Sequence, residues 1–64
     1  MNMFLAKNER QLGLCLRMLF DEGVNFDVQL EKTIKRKIVY YVIPNNVSDE
    51  AFLRLQDRYE TLSL

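Results

Sequence analysis

Ile38-Val39-Tyr40-Tyr41-Val42-Ile43 is a run of six β-forming residues without a charge among them. Successive side chains of a strand point to opposite faces, so Ile38, Tyr40 and Val42 share one face while Val39, Tyr41 and Ile43 share the other. A strand apolar on both faces calls for cover on both. The remainder of the chain supplies enough apolar surface to cover one. Self-association through the other, by Val39, Tyr41 and Ile43 or by Ile38, Tyr40 and Val42, is the leading structural expectation.

The flanking segments place this strand in a fold. Met3-Phe4-Leu5-Ala6 reads as a short strand, and Asn8-Glu9-Arg10-Gln11 as a capping box in which Asn8 caps a helix and Gln11 reaches back. Leu12, Cys15, Leu16, Leu19 and Phe20 then fall on one helical face, and Gly23 is placed to end the helix in the left-handed conformation. Phe26, Val28 and Leu30 alternate with Asp27, Gln29 and Glu31, the period of a strand with one buried face. The polar stretch Lys32-Thr33-Ile34-Lys35-Arg36-Lys37 joins it to the apolar run as a hairpin, although no Asn-Gly or Asp-Gly marks the turn. Pro44-Asn45-Asn46 ends the run. Ser48 caps a second helix with Asp49 and Glu50 in its first turn, Val47 stapled to Phe52, and a buried stripe of Phe52, Leu55, Tyr59 and Leu62.

The order is β-α-β-β-α in a single domain, an α+β fold that corresponds to the first five elements of a ferredoxin-like unit without its last strand. A three-stranded sheet with both helices on one face is expected, and the apolar run falls where that topology puts the central strand. The same element order is shared with many small ACT-like and ferredoxin-like domains, without motif residues of either.

At 64 residues the chain is near the lower limit for independent folding. Burial and ordering entropy are close to balance at this size, and small domains commonly add a staple. Cys15 is the only cysteine and there is no histidine, so neither a disulfide nor a metal site is expected. Association with a second copy is the remaining common staple.

Nine basic and nine acidic residues cancel, which argues against broad nonspecific binding to nucleic acid or an anionic membrane. The charge is uneven. Glu31 to Lys37 holds four positive charges against one negative, and Asp49 to Glu60 four acids against two arginines. No run reaches the ~20 apolar residues of a membrane span and no leader pattern opens the chain; a cytoplasmic protein is expected.

Candidate sites each carry a plainer alternative. Leu14 and Met18 form a second apolar patch on the first helix, rimmed by Arg10 and Arg17. The patch reads as a partner-binding surface, as ordinary tolerated surface leucine and methionine, or as wide-angle packing against the second helix. Asp21 and Glu22 at the end of that helix oppose its dipole, either as a solvated end in which Arg17 offsets Asp21 at i,i+4 or as a surface facing a basic partner. Lys32, Lys35, Arg36 and Lys37, beside Tyr40 and Tyr41, suggest a nucleic-acid surface. The glycine and same-face aromatics of an RNA-recognition sheet are missing, however, and charged hairpin tips also serve to protect edges. Cys15 lies in the apolar stripe, where a thiol without an activating base is inert. No catalytic set is present and no cofactor is implied.

The expected function is that of a small, non-enzymatic, homo-oligomeric protein-interaction module, a regulator, adaptor or inhibitor of a larger protein; the bare architecture also suits a phage-encoded inhibitor. The alternatives are a nucleic-acid binder using the basic hairpin and an ACT-like small-ligand sensor with its site at a dimer interface.

Overall fold

A computed structural model describes residues 2–64. Strands β1 (Phe4–Ala6), β2 (Phe26–Lys32) and β3 (Ile38–Pro44) alternate with helices α1 (Glu9–Asp21) and α2 (Asp49–Leu62) in the order β1-α1-β2-β3-α2. The sheet is antiparallel with strand order β1-β3-β2, so the doubly apolar run is central. This is the expected α+β architecture, compatible with a ferredoxin-like unit that lacks its last strand.

Register fixes which residues meet. Phe4 and Val28 both oppose Val42, while Leu5 and Gln29 both oppose Tyr41. Phe4 and Val42 are buried with Cys15, Met18 and Leu19 of α1 and Phe52, Leu55 and Tyr59 of α2 in one core, so both helices lie on the Val42 face. The Phe4 ring tilts against Phe52 at 4.8 Å and meets Tyr59 edge-on at 5.6 Å. These are the separations at which aromatic pairs add to burial.

The local signals in the sequence account for the helix ends. Asn8 accepts the Gln11 N–H at 2.8 Å, and Ser48 Oγ accepts the Ala51 N–H at 3.1 Å. The reciprocal arm of the first cap shifts by one residue, since Gln11 Oε1 accepts from the Lys7 N–H at 2.9 Å rather than from Asn8. Helix α1 ends in a Schellman motif, with Gly23 donating to Phe20 O and Val24 to Leu19 O and Gly23 at φ +69°. Val24 then packs against the core.

Four positions expected in the buried faces are outside. Phe20 is 80% exposed, Leu30 63%, and Val28 and Leu62 42% each. Helix α1 packs on β1 and β3, so its cover stops short of β2, and the helix-side residues of β2 beyond Phe26 project past it.

The hairpin turn explains why no Asn-Gly was needed. Thr33 N–H donates to Lys37 O at 2.8 Å and Arg36 N–H to Thr33 O at 2.9 Å, with Arg36 in the left-handed region at φ +60°. This is the three-residue loop in which a tight turn is followed by one left-handed residue. The Thr33 hydroxyl oxygen also accepts the Lys37 N–H at 3.2 Å, which ties the turn at its base. Arginine at a left-handed position carries a steric cost that glycine does not. Arg36→Gly is expected to raise unfolding stability by about 0.5–1 kcal/mol, read as a higher urea midpoint at unchanged slope; an unchanged or lower midpoint would contradict this turn.

Candidate functional site

The surfaces left over after the core is built are of three kinds: an uncovered sheet face, a free strand edge and a basic tip.

The uncovered face follows from the register. Leu5, Val39, Tyr41 and Ile43 lie opposite the helices, and Asp27, Gln29 and Glu31 of β2 lie beside them. Leu5 is 41% exposed, while Val39, Tyr41 and Ile43 are each half-buried, shielded only by sheet neighbours. Ile38, Tyr40 and Val42 are on the helix side. Val42 is fully buried within the chain's own core and is therefore removed from the residues available for self-association. Ile38 is 47% exposed because the helices do not reach the hairpin end.

The two sheet edges differ. Antiparallel partners alternate between pairs that exchange hydrogen bonds and pairs that do not. Asn45 N–H donates to Asn25 O and Thr33 N–H to Lys37 O, so Asn25, Asp27, Gln29, Glu31 and Thr33 turn their main-chain groups toward β3. Phe26, Val28, Leu30 and Lys32 turn theirs outward. By the same alternation β1 presents only Leu5 outward, and the Tyr59 hydroxyl donates to Leu5 O at 2.9 Å. Helix α2 thus closes the β1 edge at its one outward carbonyl. The seven-residue β2 edge has no such guard, no proline and no bulge, three of the devices by which edges are kept from pairing.

Of the residues expected to bind a partner from the outer face of α1, Met18 is 2% exposed and belongs to the core. The apolar patch with Leu14 is not an outer surface: α2 packs alongside α1, and the buried arc widens to include Met18, with Leu14 half-buried at its margin. Arg10, Arg17, Asp21 and Glu22 are exposed. Glu22 forms an ion pair with Arg58 of α2, a partner distinct from the Arg17 expected to offset Asp21. With both side chains about half-exposed, the pair adds little stability. It flanks an open cleft of about 590 Å³ between the end of α1 and the start of α2, lined by Val24, Val47, Ser48 and Arg54 among others.

Lys32, Lys35, Arg36 and Lys37 are all exposed at the hairpin end, with Ile34 fully exposed among them. Tyr40 and Tyr41 face opposite sides of the sheet, so they do not make a two-base stacking platform beside these cations. Of the exposed apolar residues at this end, Ile38 was among the self-association candidates and Leu30 was not singled out. The alternation of Leu30 with polar residues signals a buried face, and only the position of α1 reveals that the face is uncovered.

Among the described residues no group of three or more histidines, cysteines or carboxylates is positioned to hold a metal ion, and no helix is long and apolar enough to cross a membrane. Comparison of the chain with protein-family models, with curated proteins and with solved structures gave no match in any of the three.

Burial raises the Cys15 thiol from its ordinary value of 9.0 to about 12, so it stays protonated and unreactive in the folded protein. Burial, and secondarily the charge of an ionised Cys15, raises the Tyr59 phenol as well. An acid whose pKa is higher folded than unfolded contributes no pH slope until the unfolded group ionises; above that pH the unfolded state holds fewer protons and stability falls. Unfolding stability is therefore expected to be flat with respect to Cys15 up to about pH 8.5 and to decline above it. Cys15→Ala should reduce that decline; an identical alkaline slope in the variant would contradict the burial assigned to the thiol.

Proposed function

We propose that this protein is a non-enzymatic, self-associating protein-interaction module that regulates or inhibits a larger protein. One observation carries the reading. The central strand is apolar on both faces, and the chain's helices cover only the Val42 face, so Leu5, Val39, Tyr41 and Ile43 stay in contact with water. Contiguous exposed apolar surface on a small domain is the usual mark of an interaction site. The small core supports the same reading, since a chain of this size gains stability from a partner as others do from disulfides or metals. The basic hairpin serves as a solvated tip and a source of charge selectivity, and the cytoplasm is the compartment proposed.

The test is absolute mass by light scattering across a hundredfold dilution, with circular dichroism on the same samples. Twice the 7.6 kDa chain mass, or a higher multiple, is expected at the concentrated end. A folded monomer of 7.6 kDa at every concentration would overturn the self-association part of the proposal. Salt-sensitive binding to a mixed-sequence oligonucleotide, abolished by reversing the charges of Lys35, Arg36 and Lys37, would replace it with the nucleic-acid reading.

A further inference from the structure

We infer that two copies of this chain associate through β2, edge to edge and antiparallel, with Val28 on the two-fold axis, so that the sheets join into one of six strands. The inference rests on the self-association proposed above but places it at the β2 edge rather than on the Leu5, Val39, Tyr41 and Ile43 face.

The main chain limits the choice of edge. Strand β1 is three residues long, and its one outward carbonyl is occupied by the Tyr59 hydroxyl. Strand β2 offers outward N–H and C=O groups at Phe26, Val28, Leu30 and Lys32, and none of these residues is proline. The side chains over that edge are apolar and exposed: Val28 is 42% exposed, Leu30 63% and Phe20 80%. Phe20 sits on the flank of α1 away from α2, half a turn round the helix from Glu22 and Met18, and so on the β2 side.

The side chains limit the register. Outward residues must oppose outward residues for the strands to exchange hydrogen bonds. Pairing centred on Gln29 sets Asp27 against the partner's Glu31 twice, and like charges directly opposed are destabilising. Pairing centred on Leu30 sets Val28 against the partner's Lys32 and runs Phe26 into the turn. Pairing centred on Val28 opposes Val28 to itself, Phe26 to Leu30 and Asp27 to Gln29, with no like charges opposed. It also carries Lys32 and the basic turn past Val24 toward the partner's acidic helix end at Asp21 and Glu22. The carboxylates that oppose the α1 dipole and the cations at the hairpin tip then face each other across the interface. This gives a role to the hairpin cations and to Asp21, beside a Glu22 that already pairs with Arg58 within the chain.

Single cysteines placed by this register provide the test, because Cys15 is buried and free and takes no part. Hydrogen-bonded antiparallel partners lie about 5.5 Å apart at Cα, within the roughly 4.4–6.8 Å range of a disulfide. Under mild oxidation Val28→Cys is expected to form a covalent dimer, while Gln29→Cys and Leu30→Cys, which oppose Asp27 and Phe26, are expected to stay uncrosslinked. Leu30→Pro removes only an outward N–H, and should give a folded monomer by circular dichroism and light scattering. A wild-type dimer in which Val28→Cys does not crosslink, or Gln29→Cys or Leu30→Cys crosslinks in its place, overturns this interface and leaves the self-association reading intact. A folded wild-type monomer at all concentrations overturns both.

Discussion

Everything in this molecule is arranged around β3. Its helix-side residue Val42 is opposed by Phe4 and Val28 in the sheet and completely excluded from water in the core to which both helices contribute. Two amphipathic helices of 13 and 14 residues can cover one face of a three-stranded sheet and no more. Covering the Val42 face consumes them, and α1, seated on β1 and β3, ends before it reaches the far edge of β2. The uncovered Tyr41 face and the unguarded β2 edge are therefore two consequences of the same shortage of apolar cover in a 64-residue chain.

The polar groups show where the fold is closed and where it is open. The α1 caps satisfy their main-chain groups through Asn8 and the Gly23 turn. Tyr59 contributes twice, packing its ring against Phe4 in the core and spending its hydroxyl on the Leu5 carbonyl at the β1 edge. A buried tyrosine normally finds such a partner; here the partner is the one outward carbonyl of the β1 edge. Nothing equivalent is built over β2, whose side chains alternate between apolar and polar from Phe26 to Glu31. The asymmetry between the two edges points to one being sealed within the chain and the other being used between chains.

Much of this was legible in the sequence, for physical reasons that differ by element. The six-residue apolar run marked a central strand because no other position in the fold tolerates apolar side chains on both faces. Asn8, Gly23 and Ser48 marked helix ends because only such residues satisfy the free main-chain groups or adopt the left-handed turn there. The turn at Arg36 was not legible, since arginine occupies a conformation that glycine or asparagine would announce. Phe20, Val28 and Leu30 were read as buried because periodicity reports which side of an element is apolar, but not how far its neighbour extends. Met18 was left open between a partner surface and packing against α2 for the converse reason: the angle between the α1 stripe and α2 is set by packing, and the buried arc proved wider than the stripe. The charge clusters at Asp21, Glu22 and the hairpin were visible from the first. Their relation to each other appears only when the β2 edge is placed between them.

Amide hydrogen exchange at individual residues of β2, compared between dilute and concentrated protein, tests the central claim that this edge is completed by a second copy. The N–H groups of Val28 and Leu30 point away from β3, whereas those of Asp27 and Gln29 are bonded within the chain, so the two sets respond differently to association. Protection of Val28 and Leu30 that rises with concentration, while Asp27 and Gln29 stay protected throughout, is the predicted result. Free exchange of Val28 and Leu30 at every concentration would contradict it.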